Sequence, residues 1–236
     1  METTIGELIE RVKGPYNKGV ASVSSRLTNR YVYSKLSSSR SRLLTQQIKK
    51  KQIISDWNYT ILPCVELISV PDHECPCIPS FGCKVYRSKY KLPKVLTDLN
   101  IHLIKFVMNI TNGIVISETT REDYIYNAGN KYTNNHLKYI LENGYLFVYG
   151  KNIPKLVRVK LLSENAIEAL NFPSFCEQDC TDCQDCDSML DKAFPIDGDL
   201  IDTLVEMAQE EVLIKFSQGQ EDLTNNSVDT VKEQGK

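Results

Sequence analysis

A chain of 236 residues, 42% hydrophobic and 25% charged, is long enough to bury a core as one large domain or two small ones. No run approaches the roughly 18 apolar residues of a membrane span. The start, METTIGELIE, lacks the basic-then-apolar pattern of a secretory signal, so synthesis and folding in a cytoplasm are expected.

The net charge of −2 conceals a split. Arg11 to Ser55 holds eleven Lys or Arg and no acid, while Asp187 to Lys236 holds twelve acids against four bases. Such segregation fits two contact surfaces, a nucleic-acid face with an acidic tail, complementary patches on neighbouring copies, or solvated helix faces. It points away from a pocket-centred enzyme.

Thr4-Ile5-Gly6-Glu7 has the form of a capping box and predicts a short helix carrying Leu8, Ile9 and Val12. Gly14-Pro15 ends it. A second helix is expected over Ser22 to Lys35, with Val23, Leu27 and Tyr31 on one face. Ser37-Ser38-Ser39 reads as a break and N-cap before a third helix to Gln52, with Leu43, Leu44, Gln47 and Ile48 at helical spacing.

After Asp56 the composition turns to strand formers. Strands are expected at Thr60–Val70, Lys84–Tyr90, His102–Asn109, Gly113–Thr119, His136–Leu141, Tyr145–Tyr149 and Leu156–Leu162. Glu142-Asn143-Gly144 marks a hairpin turn, and Thr120 to Asn135 reads as a long loop. The middle section is thus a sandwich or a strongly bent sheet. Asn165 to Leu170 forms one helical turn. A final helix is expected from Asp197 to about Gln218, with Ile201, Leu204, Val205, Ala208, Val212 and Phe216 along one side. Leu200, Met207 and Ile214 form a second apolar line on it. Leu204, Ala208, Val212 and Phe216 are assigned to packing within the chain, and Leu200, Met207 and Ile214 to contact between subunits. The polar residues after Gly219 are expected to order only on a partner.

Eight cysteines fall in two groups: Cys64, Cys75, Cys77 and Cys83, then Cys176, Cys180, Cys183 and Cys186. The second group, C-x3-C-x2-C-x2-C, could converge its thiolates on one tetrahedral metal ion. The acids around it (Glu177, Asp179, Asp182, Asp185 and Asp187) raise the thiol pKa and oppose this. Packing residues with free thiols and disulfides formed after release from the cell are the alternatives. No cofactor is expected, a structural zinc ion being the one exception left open.

No P-loop, Rossmann or nucleophile-elbow motif occurs, and His102 and His136 have no Asp or Ser motif beside them. An enzyme is not expected. Arg26, Arg30, Arg40, Arg42, Lys49, Lys50 and Lys51 could neutralise phosphates, or an acidic partner, without reading sequence. No zinc-finger, homeodomain or RNA-binding signature accompanies them.

Three stretches together resemble a known family. They are Ser-Arg-Ser-Arg-Leu-Leu-Thr-Gln-Gln (Ser39 to Gln47), Ile-Leu-Pro-Cys-Val-Glu-Leu (Ile61 to Leu67) and Asp-Lys-Ala-Phe-Pro-Ile (Asp191 to Ile196). The last runs into a helix with the register Ile201, Leu204, Val205, Met207, Ala208, Glu210-Glu211. This layout is similar to the head–tail connector proteins of tailed phages, the adaptor or ring proteins of the tail tubular protein A type, and closest to ring proteins of crAss-like phages. The resemblance covers about half the chain and leaves the cysteine groups unassigned.

It implies a non-enzymatic virion protein of the tail or neck, made in the host cytoplasm. It further implies a ring of about twelve copies around the DNA channel, with the portal protein, further tail ring proteins and packaged DNA as partners and no membrane. The expected fold class is α+β: a helical part from both chain ends with an inserted, mainly antiparallel β domain. The expected segments are 1–55 (N-terminal helices), 56–165 (β domain), 166–196 (Cys-rich connector), 197–218 (C-terminal helix) and 219–236 (acidic tail). The rival reading is a metal-stabilised nucleic-acid-binding protein, for which one zinc per chain and unfolding by chelator would speak.

Overall fold

The structure, a computed structural model, describes residues 3–16, 27–70, 85–99, 101–120, 122–123, 136–177 and 189–212. The chain divides into two compact units, residues 48–186 and residues 1–47 with 187–236.

Among the described residues the first unit has nine strands: β1 Thr60–Ser69, β2 Tyr86–Ser88, β3 Thr97–Asp98, β4 Ile101–His102, β5 Ile104–Asn109, β6 Val115–Glu118, β7 Lys138–Glu142, β8 Tyr145–Tyr149 and β9 Leu156–Leu161. Seven of them close into a barrel in the order β1-β2-β8-β7-β6-β5-β9, and β3 and β4 form a separate two-stranded ladder. Alternation along β9 shows why. Val157, Val159 and Leu161 are buried, while Leu156, Arg158 and Lys160 between them are half-exposed. One face of every long strand therefore has to meet a core, here Leu62, Val65, Leu67, Val107, Ile116, Leu146 and Val148 beside the β9 residues. Pairing β1 with β9 closes the wall and leaves no open edge.

Two irregularities shape that wall. Between Leu62↔Val159 and Val65↔Val157, β1 carries one residue more than β9. Pro63 lies there, where a residue without an N–H does least harm to the ladder. Between Ile104↔Leu161 and Phe106↔Lys160, β5 likewise carries one extra residue, Lys105. The expected turn at Asn143-Gly144 is present, with φ of 53° and 80°, the pairing that joins β7 to β8 in a tight hairpin.

In the second unit α1 spans Ile5–Lys13, and its predicted capping box is complete: Thr4 Oγ1 accepts from the Glu7 amide, and Glu7 Oε2 accepts from the Thr4 amide. Two further amides of the first turn donate to the chain end, Ile5 to Lys192 O at 3.0 Å and Gly6 to Leu190 O at 2.8 Å. Ile5, Leu8, Ile9 and Val12 are buried. α2 spans Asn29–Lys49, α3 Ala166–Leu170 in the barrel unit, and α4 covers residues 201–212. Asn165 caps α3 by accepting from the Ile167 amide.

Two expectations need correction. The fold is organised by a closed seven-stranded barrel with a few helices, not by an α+β helical part into which a mainly antiparallel β domain is inserted. The reason is the β1–β9 pairing between strands far apart in sequence, which no local pattern announces. Within the barrel, β6 and β7 run parallel, which a hairpin cannot join and the long 119–137 connection can. Finally, the serine run breaks nothing. α2 passes straight through it with Ser39 fully buried, because serine costs a helix little and its small side chain fits a packed face. The front part of the expected second helix, up to Arg26, lies outside the described residues.

Candidate functional site

The basic front and the acidic end of the chain meet within one unit. Lys35 and Arg42, two turns apart on α2, converge on Glu211 of α4, at 3.1 Å to Oε2 and 2.8 Å to Oε1. Arg11 of α1 lies 3.8 Å from Asp202. Arg40 is fully buried; its Nε donates to Pro195 O at 2.8 Å and its guanidinium stands 6.0 Å from the centroid of the Phe194 ring. Burial lowers its pKa to about 10, with Tyr33 acting in the other direction.

These contacts sort the basic residues expected to meet DNA or a partner. Arg40 cannot, because its whole surface is covered by its own unit. Arg42 is engaged by Glu211. Arg30, Lys49, Lys50 and Lys51 are exposed, and Arg26 lies outside the described residues. On α4, Leu204, Ala208 and Val212 are fully buried, while Leu200 and Met207 of the second apolar line are half-buried. Phe216 and Ile214 lie outside the described residues.

Cys64 of β1 and Cys176 form a disulfide across 112 residues of sequence, with their Cα atoms 5.8 Å apart. The thiolate of Cys176 is thereby spent on a covalent bond. Its companions Cys180, Cys183 and Cys186, like Cys75, Cys77 and Cys83, lie outside the described residues. Among the described residues no group of three or more His, Cys, Asp or Glu side chains is placed to hold a metal ion. An open cleft of about 600 Å³ is lined by Lys91, Leu92, Pro93, Lys94, Phe172 and Pro173 among others. Lys94 is bound to Glu164 at 2.6 Å, which raises its pKa, and the described lining sets no nucleophile beside a base.

The outer wall of the barrel holds a feature that sequence reading missed. A single 3-10 turn, Asp56–Asn58, lies against it. Asp56 Oδ1 accepts from Lys105 Nζ, and Oδ2 stands 3.2 Å from Lys160 Nζ. The same two ammonium groups lie 5.5 and 5.8 Å from the centroid of the Tyr59 ring. Asn58 is buried, but Trp57, the only tryptophan of the chain, is 64% exposed.

A family model described as phage tail ring protein 2, of the crAss type, matches residues 7–231, nearly the whole chain. The chain belongs to the crAss-like phage tail ring protein 2 family. No curated protein matches it. Membership makes this ring-family chain a structural protein of the phage tail, located in the virion and of a kind that forms ring-shaped oligomers. Among the described residues no helix is long and apolar enough to cross a membrane.

Trp57, exposed beside the Asp56 clamp, reports on the state of that clamp. The hydrogen bonds from Lys105 and Lys160 hold the Asp56 carboxyl below the usual carboxylate range. A depressed folded pKa means the clamp is fully present above the ordinary carboxylate value and is lost as pH falls through the folded one. Asp56→Asn should therefore raise the quenching of Trp57 fluorescence by a neutral quencher at pH 7. The unaltered chain should reach the same quenching only in acid. Equal quenching of the two at pH 7 would mean that Asp56 does not hold the turn.

Proposed function

We propose that the chain forms the adaptor ring that docks beneath the portal, joins head to tail and lines the path of the exiting DNA. The observation that carries this reading is the family match across residues 7–231. The exposed cations that form no ion pair among the described residues, Arg30 and Lys49 to Lys51, support it. Charges of this kind face phosphates without selecting a sequence, as a channel wall that passes any DNA requires. The portal, the adjoining tail rings and packaged DNA are the partners.

Mass photometry of the purified chain, alone and mixed with the portal of the same phage, tests the proposal. The expected result is a portal species heavier by about twelve copies of the chain, as a closed ring matched to its neighbour demands. Absence of association at salt low enough to preserve ionic contacts would overturn portal docking.

A further inference from the structure

Trp57 is exposed yet firmly held. The clamp of Asp56 on Lys105 and Lys160, with Tyr59 beneath both ammonium groups, fixes the backbone on either side of it. Lys160 stands opposite Ile61 on β1 and Phe106 on β5, so these three side chains form one row on the outer face of the barrel. Ile61 is 48% exposed, and Ile53, a few residues before the turn, is 98% exposed. The result is an aromatic and aliphatic patch of Trp57, Ile61 and Phe106 beside Lys105 and Lys160. An anchor ordered in advance loses little freedom when it is covered, which is the property of residues that dominate protein contacts.

A second surface has the opposite character. Asp199, Asp202, Glu206 and Glu210 recur at helical spacing along α4 and the turn before it, and all four are exposed. Half-buried Leu200 and Met207 lie beside this acidic stripe.

We propose that the Trp57 patch of one copy receives the acidic, Leu200- and Met207-bearing face of α4 from the next copy, and that this contact is repeated around the ring. The inference rests on the ring-forming character of the family. Charge complementarity selects a second copy as the occupant: Lys105 and Lys160, two cations sharing the one carboxylate of Asp56, meet the exposed Asp199, Glu206 and Glu210 on the other surface. The two surfaces differ, so the contact runs head to tail and generates a ring instead of stopping at a dimer. A nucleic-acid backbone fits less well, because it would leave Trp57 and Ile61 uncovered.

The test compares virions with the purified, monomeric chain. Oxidative footprinting reads Trp57, and a zero-length carbodiimide reagent joins lysines to touching carboxylates. In virions, Trp57 oxidation should fall several-fold, and Lys105 or Lys160 should be linked to Asp202, Glu206 or Glu210 in products of dimer mass and above. The monomer should show neither. Trp57 equally oxidised in both samples, or protected but linked only to a different protein, would overturn the proposal. Cross-links between copies only through other residues would reject this interface while leaving the ring intact.

Discussion

Replacing Arg40 by alanine will lower the unfolding free energy of the chain by about 3–5 kcal/mol. The substitution removes a side chain with no exposed surface and leaves the Pro195 carbonyl, now its acceptor at 2.8 Å, without that donor. Phe194 loses the guanidinium 6.0 Å from its ring, and the Tyr33 ring that packs edge-on against Phe194 at 6.3 Å loses support with it. The lowered pKa shows that the charge is held at a cost in the folded state, so Arg40→Met should be milder than Arg40→Ala. It keeps most of the volume and has no charge to desolvate, leaving a penalty of about 1–3 kcal/mol for the unpaired carbonyl. Urea unfolding followed by far-UV circular dichroism measures both variants. A loss under about 1 kcal/mol for alanine would contradict a structural role for the buried guanidinium.

Cys64→Ser or Cys176→Ser will destabilise the barrel unit by about 2–5 kcal/mol. The bond closes a loop of 112 residues, which contains most of the barrel, so its loss frees a large unfolded ensemble. Fluorescence of Trp57 in urea follows this unit, since the tryptophan sits on the barrel wall. Reductant should shift the midpoint of the unaltered chain by a similar amount and should add little in either variant. A midpoint indifferent to reductant in the unaltered chain would remove the disulfide from the account.

The parts of this fold that sequence revealed are those written in neighbouring residues. Thr4 and Glu7 announce the cap of α1, Asn143-Gly144 the β7–β8 turn, and the alternation of Leu156 to Leu161 the core face of β9. What stayed hidden depends on residues far apart. Nothing local says that β1 pairs with β9 or that β6 runs parallel to β7. The Asp56 clamp needs Lys105 and Lys160, which come from two other strands. Arg40 was misjudged for a different reason. Surrounded by other bases, it reads as one more surface cation, although Val32, Leu36, Leu43 and Leu44 place position 40 on the apolar face of α2.

The carbonyls that satisfy the first turn of α1 belong to Leu190 and Lys192, and β1 finds one of its two neighbours only in β9. On a ribosome adding about 5–20 residues per second, the N-terminal helix therefore waits for nearly the whole chain to be synthesised before its partners exist. A chain interrupted before Leu161 holds no closed barrel, and one interrupted before Lys192 holds no finished α1. The strands of the barrel are thus all present in the growing chain before the first turn of α1 can find its acceptors.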